Sequence, residues 1–379
     1  MKTRGEAGRG GWAGRLVVVL LVCLGLVSGC KGKEAVAERQ TGPLEIVMPK
    51  DGAYVGAYVD FGDGESHVTY DGLTGFEKLV GKHLAMVGFG NFWGDQEFPR
   101  RTLDIISSYG AIPLLFWSPW DKPYDEMRGP DRFSLRAILA GKWDSYIDQW
   151  ADQAREYGKP IMVSWCLEMN GKWFPWSGYY YGAGKVIGHK NGKPLYAGPE
   201  LVKKAFRYVV DRVRARGANN ISWGFHANHY GQPLKPWNDF SNYYPGSNYV
   251  DWLGLSVYGK MSKSEEWSSF YDVMDSAYAE LCRLDPDKPV IVAEWGVGEY
   301  PGRGDKAAYF REAFADMKSR YQRVRAAVYW HERWENKDGS FSNLHVNSSP
   351  EALAAYRQAV ADPYWLGVPQ YRPRPAVRR

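Results

Sequence analysis

Cysteine is scarce: four residues in a chain of 379. Cys23 and Cys30 fall in an amino-terminal stretch that reads as a leader, so the body keeps only Cys166 and Cys282. That excludes a disulfide-built scaffold, and both are expected as buried free thiols. Metal-site patterns are lacking too. No His-Glu-x-x-His occurs, and His226 and His229, three apart, have no third ligand patterned nearby, so neither a metal nor a cofactor is expected. The longest apolar run is about twelve residues, short of the ~20 needed to cross a bilayer as a helix. No repeat of 20–50 residues appears. Charge of one sign is lacking in the body. The formal net charge is +5, but Lys2, Arg4, Arg9 and Arg15 sit in the leader and Arg372, Arg374, Arg378 and Arg379 at the other end. The remainder is slightly acidic, which argues against a nucleic-acid groove.

Aromatic residues, by contrast, are abundant, with 17 Trp and 26 Tyr. A core does not need that many, so some are expected on a surface that binds flat, weakly polar ligands. The first fifteen residues are polar and basic, residues 16–27 are apolar, and Val27-Ser28-Gly29-Cys30 resembles a bacterial lipobox. Residues 1–29 are therefore read as a lipoprotein signal peptide. Cys30 would be the lipidated first residue of a tether, 30–45, spanning at most ~50 Å. The expectation is a lipid anchor at the cell envelope or cell surface. Lys31 rather than Asp after the Cys favours the outer membrane in a Gram-negative cell. Residues 46–365 read as one domain, and 366–379 as a basic, Pro-rich tail.

Within the domain, eight apolar runs (55–60, 84–89, 112–117, 161–166, 221–226, 252–258, 290–294 and 326–330) alternate with amphipathic stretches. Runs apolar on both faces suit strands of a buried parallel sheet. Helix ends are legible at Ser134, Gly158, Pro199-Glu200, Gly217 and Asp305. Eight such units predict an α/β fold, a (β/α)8 TIM barrel with long loops. The alternative, an open doubly wound sheet, would more often place a Gly-rich phosphate turn after the first strand. Gly62-Asp63-Gly64 does not match it.

Function in a barrel sits at the carboxyl ends of its strands. Glu168 follows the fourth run and Glu294 ends the seventh. A carboxylate in either place is costly unless paired or hydrogen-bonded. Two carboxyls ~5–5.5 Å apart are what a retaining glycosidase requires, one attacking the anomeric carbon and the other moving the proton. Here the residues carry a resemblance. Glu168-Met169-Asn170-Gly171, with Trp173, Phe174 and Trp176, resembles the acid/base motif of glycoside hydrolase family 26, which contains the β-mannanases. Ala293-Glu294-Trp295-Gly296 resembles its nucleophile strand, and Gly254-Leu255-Ser256-Val257-Tyr258-Gly259 its sixth strand. The resemblance implies catalytic roles for Glu168 (acid/base), Glu294 (nucleophile) and Tyr258 (partner of the nucleophile). The family's mannanases usually carry His before the acid/base; this chain has Leu167.

Around that pair, Trp173, Trp176, Trp117 and Trp330 are expected to contact sugar rings. Asn228, His229, Asn91 and Trp93 are expected to line the same site. Asp60 and Asp63 read more as caps of the next element than as contacts to a distal sugar, and Arg333 and Glu335 as a salt bridge. A thirty-residue loop after Glu168 contains a predicted hairpin, 185–196, turning at Asn191-Gly192. The expected partner is a polysaccharide or oligosaccharide bound by a monomer. The leading expectation is a retaining β-1,4-mannan hydrolase. The alternatives are a β-1,3/1,4-glucanase or β-1,3-xylanase, an exopolysaccharide-processing hydrolase of the same family, and a non-catalytic glycan-binding lipoprotein.

Overall fold

The computed structural model describes residues 43–62, 64–123 and 129–374. The leader, Cys30, most of the tether and Asp63 lie outside the described residues. Eight parallel strands form the body: β1 Ala53–Val59, β2 Met86–Phe92, β3 Ile112–Ser118, β4 Ile161–Trp165, β5 Ile221–Asn228, β6 Trp252–Tyr258, β7 Val290–Gly296 and β8 Val324–His331. They pair in chain order, and β8 closes on β1 from Ala326↔Tyr54 to His331↔Val59. Each strand overlaps an expected run. Both faces are buried because one points into the barrel and the other under the helices, as a (β/α)8 barrel requires.

The helices are α1 Tyr70–Val80, α2 Arg100–Tyr109, α3 Leu135–Leu139, α4 Asp144–Tyr157, α5 Ala197–Ala215, α6 Phe270–Leu284, α7 Lys306–Ser319 and α8 Pro350–Val360. The Ser134 hydroxyl accepts the Ala137 N–H to start α3, and Asp305 accepts the Ala308 N–H to start α7, each satisfying a donor left over at a helix start. Gly158 ends α4 with φ 71°, a left-handed conformation that costs glycine little. One unit departs from expectation. Between β5 and β6 there is no α-helix but three 3-10 turns, Pro236–Asn238, Phe240–Tyr243 and Ser247–Tyr249. Pro233, Pro236 and Pro245 remove backbone donors there, and an α-helix cannot run through them.

Ordered structure also extends further than the expected boundaries. Leu44–Val47 pairs antiparallel with Gln370–Pro373, and Trp365–Leu366 adds beside the start of β1. The Tyr54 hydroxyl donates to the Val47 carbonyl at 2.6 Å and accepts the Gln370 N–H at 2.9 Å, while Arg372 pairs with Glu45. The stretch expected as a tail from 366 is thus in part a strand held by the domain. Cys166 is buried and Cys282 only half-buried; both are free thiols. The hairpin forms as Val186–Lys190 and Lys193–Tyr196, with Asn191 and Gly192 both at positive φ.

Candidate active site

Two local features aim the carboxyls. Where β4 ends, Cys166 and Glu168 take φ of 54° and 50°, a left-handed region that non-glycine residues rarely occupy. This bends the chain out of the sheet, and the Glu168 N–H is caught by the His226 carbonyl at 2.8 Å. In β7 the register against β6 slips between Val292↔Leu255 and Glu294↔Ser256. Such a bulge changes which residue faces inward. It brings Glu294, rather than Ala293, level with Ser256.

Both carboxyls line one cavity of about 1080 Å³ at the carboxyl ends of the strands. Each is 6% exposed. Glu168 Oε2 accepts the Trp173 indole N–H at 2.6 Å, and the Ser256 hydroxyl beside it also favours the ionised carboxyl. Glu294 Oε2 accepts the Tyr258 hydroxyl at 2.9 Å. Burial raises the pKa of Glu168 against the opposing effects of Ser256 and Trp173. Burial also raises Glu294, and the charge of Glu168 raises it further, against the Tyr258 hydrogen bond. Two buried carboxyls that repel each other do not both ionise readily. Such a pair gives up its protons in two separate steps, so there is a pH range in which one carboxyl is protonated and the other charged.

The floor is aromatic. Trp330 stacks on Tyr58 with ring centroids 4.0 Å apart, and its N–H donates to Glu332 at 2.6 Å. Trp173, Phe174 and Trp120 form one wall. Asn228 and His229 also line the cavity. The His229 Nδ1–H donates to the Ser256 carbonyl at 3.1 Å, so Nε2 carries a lone pair. Burial lowers its pKa to about 4. Among the described residues no His, Cys, Asp and Glu cluster has the arrangement to hold a metal ion.

Four expected contacts are not in the cavity. Trp117 stacks on Trp150 of α4 at 4.1 Å and donates to Tyr146. Asn91 pairs in register with Trp117 and shares its outward face. Trp93 packs against Trp117, Phe133 and Tyr146. Trp176 is buried behind Phe174, stacked at 4.6 Å, with its N–H on the Leu167 carbonyl at 2.7 Å. For the strand residues the cause is the period of two: Phe92 and Phe116 face the cavity, so their neighbours Asn91 and Trp117 face the helices. Nor do Arg333 and Glu335 make the expected ion pair. Arg333 lies over the Phe341 ring and Glu335 lines the cavity. Asp60 instead bonds His345 at 2.9 Å and the Gly62 N–H.

Sequence reasoning missed Tyr58, Phe116, Trp120, Phe174, Tyr230 and Glu332 as lining residues. Phe116 adjoins Trp117, which it chose, and there only the phase was wrong; Phe174 sits beside Trp173, which does line the cavity. Asn170, within the Glu168 motif, turns out to be a clamp. Its Oδ1 accepts the Asn228 N–H at 3.0 Å, and its Nδ2 donates to the Asn228 carbonyl at 2.9 Å and the Tyr230 carbonyl at 3.2 Å.

Comparison with known proteins gives a consistent set. A family profile described as Glycosyl hydrolase family 26 matches residues 136–327. Endoglucanase H of Acetivibrio thermocellus is 33% identical over 313 residues, 82% of this chain and 30% of that protein. A mannan endo-1,4-beta-mannosidase of Bacillus subtilis is 28% identical over 201 residues, 52% of this chain and 45% of that protein. The aligned region thus spans less than half the length of either relative. In fold, the catalytic domain of an endo-beta-1,4-mannanase from Bacillus sp. JAMB-750 superposes with a TM-score of 0.60 at 18% identity, covering 83% of this chain and 87% of that one.

Proposed function

The chain belongs to glycosyl hydrolase family 26, and on that premise we propose that it hydrolyses a β-linked polysaccharide by double displacement, with Glu294 as nucleophile and Glu168 as general acid/base. The observation that carries this reading is the carboxyl pair: two carboxyls, nearly buried, in one open cavity, each held by a hydrogen-bond donor. Burying two such groups together is unfavourable in a protein that only holds glycan, which argues against the non-catalytic alternative.

In the first step the Glu294 carboxylate bonds to the anomeric carbon as the glycosidic C–O bond breaks, and the Glu168 proton passes to the leaving oxygen. In the second, Glu168 takes a proton from water, whose oxygen bonds to the anomeric carbon and releases Glu294. Tyr258 keeps the Glu294 oxygen in place. Trp330 supplies a flat floor for the reacting sugar, and Trp173, Phe174 and Trp120 supply a wall for its neighbours. Glu65, Glu265, Glu266, Glu332 and Glu335 also line the cavity. That negative potential favours a neutral glycan over an anionic one.

The resemblance implies β-1,4-mannan first. Two observations favour a β-glucan instead. Leu167, a hydrocarbon, lines the cavity beside Glu168 where the family's mannanases usually carry His. The endoglucanase relative also shares more identity, over more of this chain, than the mannosidase does. The chain is further proposed to be anchored at the cell envelope through lipidated Cys30; Cys30→Ser should release it from the membrane fraction.

The deciding experiment is Glu294→Ala, assayed on a panel of neutral β-glycans, with NMR of the first-formed product anomer of the wild type. The expected outcome is a loss of several orders of magnitude in kcat and a β-configured product. Hydrolysis near the wild-type rate would remove Glu294 from the nucleophile role.

A further inference from the structure

Behind Glu168 runs a buried chain of three side chains that the displacement steps do not use. The Ser164 hydroxyl lies 3.0 Å from His226 Nδ1, and His226 Nε2 lies 2.8 Å from the Ser256 hydroxyl, whose presence beside Glu168 lowers the pKa of that carboxyl. Ser164 and Ser256 are fully buried, and His226 nearly so. The fold makes room for the imidazole. A Cβ on Gly254 would stand 3.1 Å from the His226 Cβ. Burial lowers the His226 pKa to about 3, so the ring is neutral wherever the enzyme would work.

A neutral imidazole has one N–H and one lone pair. With a hydroxyl at each nitrogen, the chain has two consistent directions. If Nδ1 carries the hydrogen, Ser256 must give its own to Nε2, and it turns lone pairs toward an ionised Glu168. If Nε2 carries the hydrogen, it donates to Ser256 Oγ and the Ser256 hydrogen is left for Glu168. Trp173, a donor only, already commits Oε2 to accepting, and the second displacement step starts from an ionised Glu168. Only the second direction satisfies a carboxylate there.

We propose that His226 is a positioning residue that, as its Nε2–H tautomer with Nδ1 accepting from Ser164, keeps the Ser256 hydroxyl aimed as a donor at Glu168. The proposal rests on Glu168 being the acid/base. Its role is to stabilise the ionised form of a carboxyl that burial pushes toward protonation. The acid then gives up its proton more easily in the first step and waits as a base for the second. Glu168 also faces Glu294 on β7, Tyr258 at the end of β6 and Tyr230 after β5. None of these is altered by changing Ser256.

Two measurements test it. Nitrogen-15 NMR of the histidine-labelled protein, with the His226 signals assigned by their loss in His226→Gln, should show a neutral Nε2–H tautomer from pH 5 to 8. An Nδ1–H tautomer overturns the proposal. Ser256→Ala should move the basic limb of the kcat/KM profile up by about one pH unit, because the ionised carboxyl loses a donor. Ser256→Thr, which keeps the hydroxyl, should restore it. A basic limb unmoved in a folded Ser256→Ala protein also overturns the proposal. The NMR result needs no activity, so it separates failure of the relay from failure of the Glu168 assignment.

Discussion

Tyr258 donates its hydroxyl to Glu294 at 2.9 Å from the last position of β6, across from a bulge in β7 that turns the carboxyl toward it. The hydrogen bond favours the ionised carboxylate, and the burial of both groups strengthens it.

Tyr258→Phe should therefore raise the Glu294 pKa. A nucleophile must be ionised, so the acid limb of kcat/KM should move to higher pH. A hydrogen bond to a charged group contributes about 1.5–3 kcal/mol, so kcat should fall roughly 10–100-fold. An unchanged acid limb would contradict the pairing.

Glu168→Ala should split substrates by leaving group. Hydrolysis of the polysaccharide should fall by several orders of magnitude. Aryl glycosides whose phenol leaves without a proton should keep much more of their first-step rate, with the glycosyl-enzyme accumulating. Burst kinetics on such a substrate reads this directly. Equal losses on both substrate types would speak against a proton-donor role.

Trp173 and Trp176 stand three residues apart and should behave differently. Trp176→Phe removes the hydrogen bond to the buried Leu167 carbonyl and should cost about 1–3 kcal/mol of stability with little change in KM. Trp173→Ala removes a cavity wall and a Glu168 donor, and should raise KM and lower kcat together. Thermal melts and steady-state kinetics on the two variants suffice.

Asn170→Ala should be mainly a stability variant. It strips partners from the buried Asn228 N–H and from two carbonyls, at a cost of about 2–3 kcal/mol. The melting temperature should fall by several degrees, and residual activity should be lost on warming sooner than in the wild type.

Leu167→His tests the substrate reading. On mixed-linkage β-glucan and β-1,4-mannan side by side, the wild type should favour the glucan. The variant should shift the kcat/KM ratio toward mannan by about tenfold, the order expected from one hydrogen bond at the reacting sugar. A ratio unmoved by the change would detach Leu167 from specificity.

The strands could be read from sequence because each barrel strand is apolar on both faces and bounded by turn residues. That same property hides which face a given side chain takes. Trp117 and Phe116 are equally apolar, and only the sheet decides that Phe116 enters the cavity while Trp117 stacks under α4. The β7 bulge adds a phase shift that alternation cannot anticipate. Glu168 and Glu294 were legible because a carboxyl in an apolar run is chemically out of place. His226 was visible as a residue, but its partners Ser164 and Ser256 lie 62 and 30 positions away in the chain. The β5–β6 connection was misjudged by assuming eight equal units and passing over its prolines.

The strand pair made by Leu44–Val47 and Gln370–Pro373 lies beside the start of β1, at the pole of the barrel remote from the cleft. The first and last described strands therefore run side by side, and neither of them lines the cleft.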